Sequence, residues 1–179
     1  MPPDRTRRVH TGRVVRLDVE QVVLPNGEEV ELEIVRHPGG AAVVAVDDAD
    51  RLCLLRQYRH AVGGWVWELP AGKHEPGETP LSTARRELAE EAGVAAAQWQ
   101  ELGRVVSSPG VLTEVVHLFL ARGLVPATAT RERGEVFEVS WVARAEAVGR
   151  ALAGEIEDAK TVIGLLRAAD RLGPARGSG

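Results

Sequence analysis

The sequence predicts an α/β (mixed α+β) fold in which a mixed β-sheet is covered by helices. The chain has 179 residues, which is enough for a compact domain with a buried core. Short runs rich in apolar and β-branched residues predict strands at 41–46, 52–56, 65–69, 99–106, 115–121 and 136–142. Apolar residues at helical spacing predict helices at 79–92, 144–153 and 159–172. Strands mixed with few helices favour an α/β sandwich and leave the strand order open.

The segment 13–35 predicts a β-hairpin ahead of this sheet. Its turn is Pro25-Asn26-Gly27, a combination that suits a tight reversal of the chain. After the turn, apolar residues alternate with glutamates, so one face of the strand is apolar and the other is acidic. We therefore expect an N-terminal hairpin extension at residues 1–36, frayed as far as Arg8, and a main domain at 37–173. Residues 174–179 are expected to form a flexible tail.

The composition excludes several classes of protein. Apolar residues make up 44% and charged residues 27%, as in ordinary globular proteins. The net charge of -4 gives no general attraction to nucleic acid. No apolar stretch approaches the ~20 residues of a membrane span, and Met1 to Thr11 lacks the apolar core of a secretory signal. The single cysteine, Cys53, cannot form an internal disulfide. We expect a cytoplasmic protein with neither nucleic acid nor a membrane as its partner.

The helix at 79–92 has clear start and stop signals. Thr79 suits the N-cap position and Pro80 the first helical position. Gly93 suits the residue that ends a helix. Between these signals an apolar stripe at helical spacing predicts a buried face. Its members are Leu81, Ala84, Leu88 and Ala92.

Three glutamates crowd a second face of this helix. Glu87, Glu90 and Glu91 fall within about 100° of arc. Like charges at this spacing repel, and they lie near the helix C-terminus, where the dipole disfavours anions. Arg85 and Arg86 can neutralise part of the charge, but a divalent cation would neutralise more, since Mg²⁺ is typically held by carboxylates and substrate phosphates. A solvated surface face is the alternative for such a helix.

The surrounding sequence favours the cation. The segment from Gly72 to Gly93 fits the pattern G-x5-E-x7-R-E-x2-E-E-x-G, followed by an apolar residue. The matching residues are Gly72, Glu78, Arg86, Glu87, Glu90, Glu91 and Gly93. This segment resembles the Nudix box, and the resemblance extends over about two-thirds of the chain. It implies a Nudix-type α/β/α sandwich and an Mg²⁺-dependent pyrophosphohydrolase, in which Mn²⁺ or another divalent cation can substitute.

The resemblance also implies a role for each residue of the box. Glu87 and Glu91 are expected to bind the metal with help from Glu90, and the carbonyl of Ala71 is expected to add a ligand. Arg86 and Glu78 are expected to brace the loop–helix–loop, and Gly72 and Gly93 to allow its turns.

The attacking water needs a base that is not saturated by metal, and a polar loop before the strand at Val136 offers two. By resemblance to Nudix enzymes that act on ADP-ribose, Glu135 or Glu132 supplies the base, and we favour Glu135. The loop contains fewer glutamates than that subgroup has, and a merely solvated loop is the alternative.

Three features indicate the substrate class. Pro109 with Glu114 resembles the ADP-ribose pyrophosphatase subgroup, where Glu114 would contact the ribose or a water, although Pro-Gly is also an everyday turn. Arg56 and Arg59 suit bidentate contacts to a pyrophosphate, with a plain surface charge as the alternative. The run 65–72 resembles the lead into the box of that subgroup. Within it, Glu68 is expected to touch the substrate or metal, or to brace Arg86. Alternation puts Trp65 and Trp67 on one face, which favours core or dimer packing over a stacking platform.

The segment 154–161 resembles the same subgroup, with Asp158 as the N-cap of the last helix. The resemblance further implies a homodimer that exchanges its N-terminal hairpin. The leading hypothesis is hydrolysis of ADP-ribose or a related nucleoside diphosphate sugar to a nucleoside monophosphate and a sugar phosphate. The alternatives are a house-cleaning hydrolase of nucleoside triphosphates or dinucleoside polyphosphates, and a non-catalytic ADP-ribose sensor.

Overall fold

The computed structural model describes residues 5–129 and 134–173. The chain forms two compact units. The first runs to Gly39 and includes Val106–Val115, and the second contains Gly40–Val105 and the chain from Val116 onward. The expected tail at 174–179 lies outside the described residues.

The first unit is built around a three-stranded antiparallel sheet. Its strands, in spatial order, are β1 (Arg5–Thr11), β2 (Arg16–Val23) and β3 (Glu29–Arg36). β2 and β3 form the predicted hairpin. The expectation of a frayed N-terminus is wrong from Arg5 onward, because this segment pairs with β2 and the Arg8 side chain hydrogen-bonds to Asp18. A charged edge strand shows no apolar alternation, so the sequence pattern did not predict it.

The second unit contains two sheets and three α-helices among its described residues. One sheet has the order β10 (Phe137–Ala143), β5 (Arg51–Arg59) and β6 (Gly64–Glu68). The other has the order β7 (Ala71–Lys73), β4 (Gly40–Ala45), β9 (Val115–Pro126) and β8 (Val94–Val106). The helices are α1 (Pro80–Ala92), α2 (Arg144–Leu152) and α3 (Ala159–Leu172).

Strand β4 divides the apolar core of this unit in two. All six of its residues are buried, and successive side chains of a strand point to opposite faces. Ala42 and Val44 join a cluster with α2 and α3, whereas Val43 and its same-face neighbours join a cluster with α1. Because β4 runs parallel to β9 and antiparallel to β7, the predicted mixed sheet between helices is confirmed.

Two elements differ from the pattern-based prediction. β7 is only three residues long and contains a glycine, so it carries too little apolar pattern to be read as a strand. β8 begins at Val94, directly after α1, where the sequence predicts a strand only from Trp99. None of the helices in the described part of the chain has the length and apolar character needed to cross a membrane.

Candidate active site

Helix α1 carries the three glutamates, and its ends are fixed as predicted. The Thr79 side chain accepts a hydrogen bond from the backbone N–H of Ser82, and the Ser82 side chain accepts one from the backbone N–H of Thr79. Pro80 occupies the first helical position. Gly93 ends the helix with a left-handed backbone (φ 66°), a conformation that favours glycine.

Glu87 and Glu91 are buried, although both are carboxylates. Their residues are 8% and 4% exposed, so the solvated-surface alternative is wrong for this pair. Burial disfavours the charged form and raises the pKa of Glu87 to about 7 and that of Glu91 to about 8. The negative charge of Glu135 contributes to both rises. The site therefore concentrates carboxylates where little water can screen their charge once they ionise.

Arg86 connects the loop that precedes α1 to carboxylates of α1 itself. Its guanidinium donates to both carboxylate oxygens of Glu78, at 2.8 and 3.1 Å, and to the carbonyl of Lys73 at 3.0 Å. It also donates to Glu87 at 2.6 Å and to Glu90 at 3.0 Å. The hydrogen bond from Arg86 is the main reason that the pKa of Glu78 falls to about 2. These contacts agree with the bracing roles expected of Arg86 and Glu78.

Strand β7 brings Ala71 and Gly72 against the same carboxylates. The backbone N–H of Ala71 donates to Oε2 of Glu91 at 2.8 Å. A Cβ atom added to Gly72 would lie 1.8 Å from Oε1 of Glu87, a distance that no real contact permits. The glycine at position 72 thus lets the Glu87 carboxylate lie against the backbone, and an added methyl group would displace that carboxylate.

The donor set of this site suits a hard divalent cation. Carboxylate oxygens such as those of Glu87, Glu90 and Glu91 are the ligands that Mg²⁺ prefers. The raised pKa values of Glu87 and Glu91 show that burial outweighs the positive charge near these two carboxylates. Within the described ranges, no three His, Cys, Asp or Glu side chains stand close enough together to form a ready-made metal site. Arg86 holds Oε1 of Glu87 and Ala71 holds Oε2 of Glu91, so a bound cation would use the other oxygen of each carboxylate after small side-chain movements.

Of the two candidate bases, only Glu135 lies in the described part of the chain. Glu135 is half-buried just before β10, and its charge acts on both Glu87 and Glu91. Glu135 is therefore near enough to the carboxylate cluster for its charge to raise both pKa values. Glu132 lies outside the described residues.

Glu68 has partners that the sequence did not indicate. It is 3% exposed and accepts two hydrogen bonds from Arg59, at 2.6 and 2.9 Å, and one from Lys160 at 2.6 Å. Burial opposes its ionisation, but these cations outweigh burial, and the pKa of Glu68 lies below its ordinary value. Glu68 thus braces Arg59 rather than Arg86. Lys160 was missed, although one signal was available: it is one of only two lysines in a chain rich in arginine.

Arg56 lies on the exposed face of β5 beside aromatic side chains. Its guanidinium carbon is 5.4 Å from the centre of the Trp65 ring, and Trp65 meets Tyr58 edge-on. Trp65 is 45% exposed, whereas Trp67 packs against the core, so the expected core role holds only for Trp67. Alternation along β6 predicts that both rings lie on one face of the strand. It does not predict which of the two rings other side chains bury.

Pro109 and Glu114 belong to the first unit. Pro109 lies in a turn in which the carbonyl of Ser108 accepts a hydrogen bond from Leu112 at 2.8 Å. Glu114 pairs with Nδ1 of His37 at 3.3 Å. His37 was not singled out by any sequence pattern. The substrate contacts expected of Pro109 and Glu114 stay predictions.

Comparison with known proteins shows the family. The NUDIX domain family model matches residues 36–164. A protein named ADP-ribose pyrophosphatase from Bacillus subtilis (strain 168) is 40% identical and covers 86% of this chain and 84% of its own length. A protein named methanol dehydrogenase activator from Bacillus methanolicus is 39% identical over 89% of this chain and 87% of its own.

A solved structure agrees with the fold. A crystal structure described as an ADP compounds hydrolase superposes with a TM-score of 0.80 over 94% of this chain and 91% of its own, at 23% sequence identity. The family model covers the segment from the lead into the box to the first turns of α3, including every residue of the carboxylate cluster. The chain belongs to the Nudix family.

Proposed function

We propose that this chain is an Mg²⁺-dependent pyrophosphohydrolase. Its substrate is ADP-ribose or a related nucleoside diphosphate sugar, and its products are AMP, or the corresponding nucleoside monophosphate, and a sugar phosphate. The observation that carries the proposal is the buried pair Glu87 and Glu91, which lies against the backbone of Ala71 and Gly72. A water-poor cluster of carboxylates is costly for a protein to keep unless a cation is bound there in the working state.

Glu87 and Glu91 would hold the cation, assisted by Glu90 and by the carbonyl of Ala71. When bound, divalent ions offset the negative charge of the phosphates, which otherwise repels a nucleophile. Arg86 fixes the orientation of Glu87 and Glu90 through its two short contacts. These contacts fix the orientation of two of the proposed ligands before the substrate arrives.

Glu135 is our candidate for the base. Water attacks one phosphorus, the bond from that phosphorus to the bridging oxygen breaks, and the proton released by the water passes to the Glu135 carboxylate. The effect of its charge on Glu87 and Glu91 supports a place beside the reacting phosphate. Glu132 is the alternative base.

The substrate class is supported by cationic side chains and by the relatives. Arg56 is exposed, and the Arg59 side chain is 42% exposed despite its pairing with Glu68, so both are accessible to phosphate oxygens. Glu68 would then act by orienting Arg59. Pro109 and Glu114 are proposed as further substrate contacts. The Bacillus subtilis relative is named for ADP-ribose.

A substrate panel tests this function. The protein is incubated with Mg²⁺ and ADP-ribose, ADP-glucose, GDP-mannose, diadenosine polyphosphates or nucleoside triphosphates, and the released nucleotide is quantified. We expect ADP-ribose or another nucleoside diphosphate sugar to be cleaved best. Preferred cleavage of triphosphates or dinucleoside polyphosphates would overturn the substrate class, and no turnover of any compound would overturn the enzyme hypothesis.

We also propose that the chain forms a homodimer through its first unit. That unit exposes apolar side chains on and beside its strands, and such surfaces commonly mark contact sites. They are Val9, Val14, Val23 and Leu32, which are 49%, 41%, 47% and 38% exposed. Sedimentation velocity should give the mass of two chains, and a single-chain mass at all concentrations would contradict the dimer.

A further inference from the structure

Two hydrogen bonds made by one hydroxyl link the start of helix α3 to the segment 68–70, which precedes β7. The hydroxyl of Thr161 accepts a hydrogen bond from the backbone N–H of Leu69 at 2.8 Å. The same hydroxyl donates to Oδ2 of Asp158, the N-cap of α3, at 2.6 Å. Thr161 is 0% and Leu69 is 1% exposed, so no water can replace this contact. The backbone of Leu69 is therefore fixed by one side chain from a distant helix.

Lys160, the residue before Thr161 in α3, binds Glu68, the residue before Leu69. Nζ of Lys160 donates to Glu68 at 2.6 Å and to Asp158 at 2.9 Å. Two successive positions, 68 and 69, are thus attached to the first turn of α3 through two successive side chains.

Close packing keeps the helix and the segment in register. A Cβ atom added to Gly164 would lie 2.7 Å from a methyl carbon of Leu69 and 3.4 Å from one of Val44. The absence of a side chain at Gly164 lets α3 lie directly on Leu69. The hydrogen bonds of Thr161 therefore connect α3 and the segment around Leu69, which are already closely packed against each other.

The position of Leu69 affects the carboxylate cluster through the next two residues of the chain. Pro70 alone separates Leu69 from Ala71, and a proline ring restricts the backbone between them. The carbonyl of Pro70 accepts a hydrogen bond from the N–H of Val43 at 2.9 Å. The N–H of Ala71 then donates to Oε2 of Glu91 at 2.8 Å. A shift at Leu69 would move the donor that orients Glu91.

We propose that Thr161, together with Lys160, is a positioning residue for the divalent-cation site. This inference rests on the proposed function, in which Glu91 binds the cation. Without the Thr161 hydroxyl, the N–H of Leu69 would be left buried and unpaired, which a folded protein avoids by shifting its backbone. The Ala71 N–H would then move away from Glu91, and the carboxylate would lose its fixed orientation. Partners that orient metal ligands commonly affect metal affinity without touching the ion.

The test measures Mn²⁺ binding to the substrate-free protein by electron paramagnetic resonance. Thr161→Val keeps the shape of the side chain and removes the hydroxyl, and Thr161→Ser keeps the hydroxyl. Leu165→Val is the matched control, since Leu165 is a fully buried core residue of the same helix. We expect Thr161→Val to weaken Mn²⁺ binding by about 10- to 100-fold. Thr161→Ser should restore most of the affinity, and Leu165→Val should bind Mn²⁺ like the wild type.

A folded Thr161→Val protein with wild-type Mn²⁺ affinity would overturn the proposal, as would an equal loss of affinity in Leu165→Val. If Thr161→Val does not fold, Lys160→Met decides: reduced affinity supports the positioning role and unchanged affinity overturns it. Wild-type protein that binds Mn²⁺ but cleaves no pyrophosphate would refute the proposed function while this inference stands. Wild-type protein that binds no Mn²⁺ would refute both.

Discussion

Glu91 lies in surroundings that oppose its charge more than they support it. Burial is the largest effect on its pKa, and the charges of Glu87 and Glu135 add to the rise. The N–H of Ala71 and the charge of Arg59 act in the opposite direction without cancelling it. A group held partly neutral in this way gains most from a bound cation, because the cation favours the ionised form.

The raised pKa of Glu91 predicts how stability depends on pH in the metal-free protein. Between an ordinary value near 4.5 and about 8, the folded state binds more protons than the unfolded state. Unfolding free energy should therefore fall as pH rises through this range. Denaturant melts with a chelator present should show this slope in the wild type and a smaller one in Glu91→Gln. Saturating Mg²⁺ should reduce the wild-type slope, and identical slopes in the two metal-free proteins would contradict the buried, proton-binding Glu91.

The proposed base leads to a separate prediction. Glu135→Gln should lower kcat by about 10²–10⁴-fold, the usual contribution of a general base, and leave Mn²⁺ affinity nearly unchanged. Glu138→Gln is the control, because Glu138 is exposed on β10 three positions away. Steady-state kinetics of these variants and of Glu132→Gln check the assignment. A larger loss of kcat in Glu132→Gln would assign the base to Glu132.

At the scale of elements, the site depends on how closely β7 approaches α1. The capping box at Thr79 and the stop at Gly93 fix where α1 begins and ends. Local sequence rules predict both ends, because they depend on hydrogen bonds between residues a few positions apart. The strand β7 itself was not predictable, because its three residues owe their conformation to pairing with β4.

Gly72→Ala tests that close approach. The new methyl group would collide with the Glu87 carboxylate, so the side chain must leave its place. We expect folded protein with Mn²⁺ affinity reduced by at least about tenfold, as for other changes that misorient a metal ligand. Gly149→Ala in α2 is the matched control, since nothing lies within 4 Å of its added Cβ. Wild-type affinity in Gly72→Ala would contradict the observed geometry.

At the scale of the whole molecule, pairing between distant segments is what local patterns could not predict. Glu68 and Lys160 are 92 positions apart, yet they form a short ion pair. The same holds for Thr161 and Leu69, which are also 92 positions apart. The motif from Gly72 to Gly93 identified the carboxylate cluster because its residues belong to one helix and its flanking loops. The residues that support the cluster come from other parts of the chain, and only the fold brings them together.

The measurement that tests the central claim most directly is the Mg²⁺ dependence of ADP-ribose hydrolysis in the wild type and in Glu91→Gln. Glu101→Gln, an exposed glutamate on β8, is the control. We predict wild-type turnover that requires Mg²⁺, a loss of at least about 10²-fold in kcat for a folded Glu91→Gln protein, and little change in Glu101→Gln. Full activity in Glu91→Gln, or wild-type turnover that persists in a chelator, would contradict a cation held by the buried carboxylates of α1.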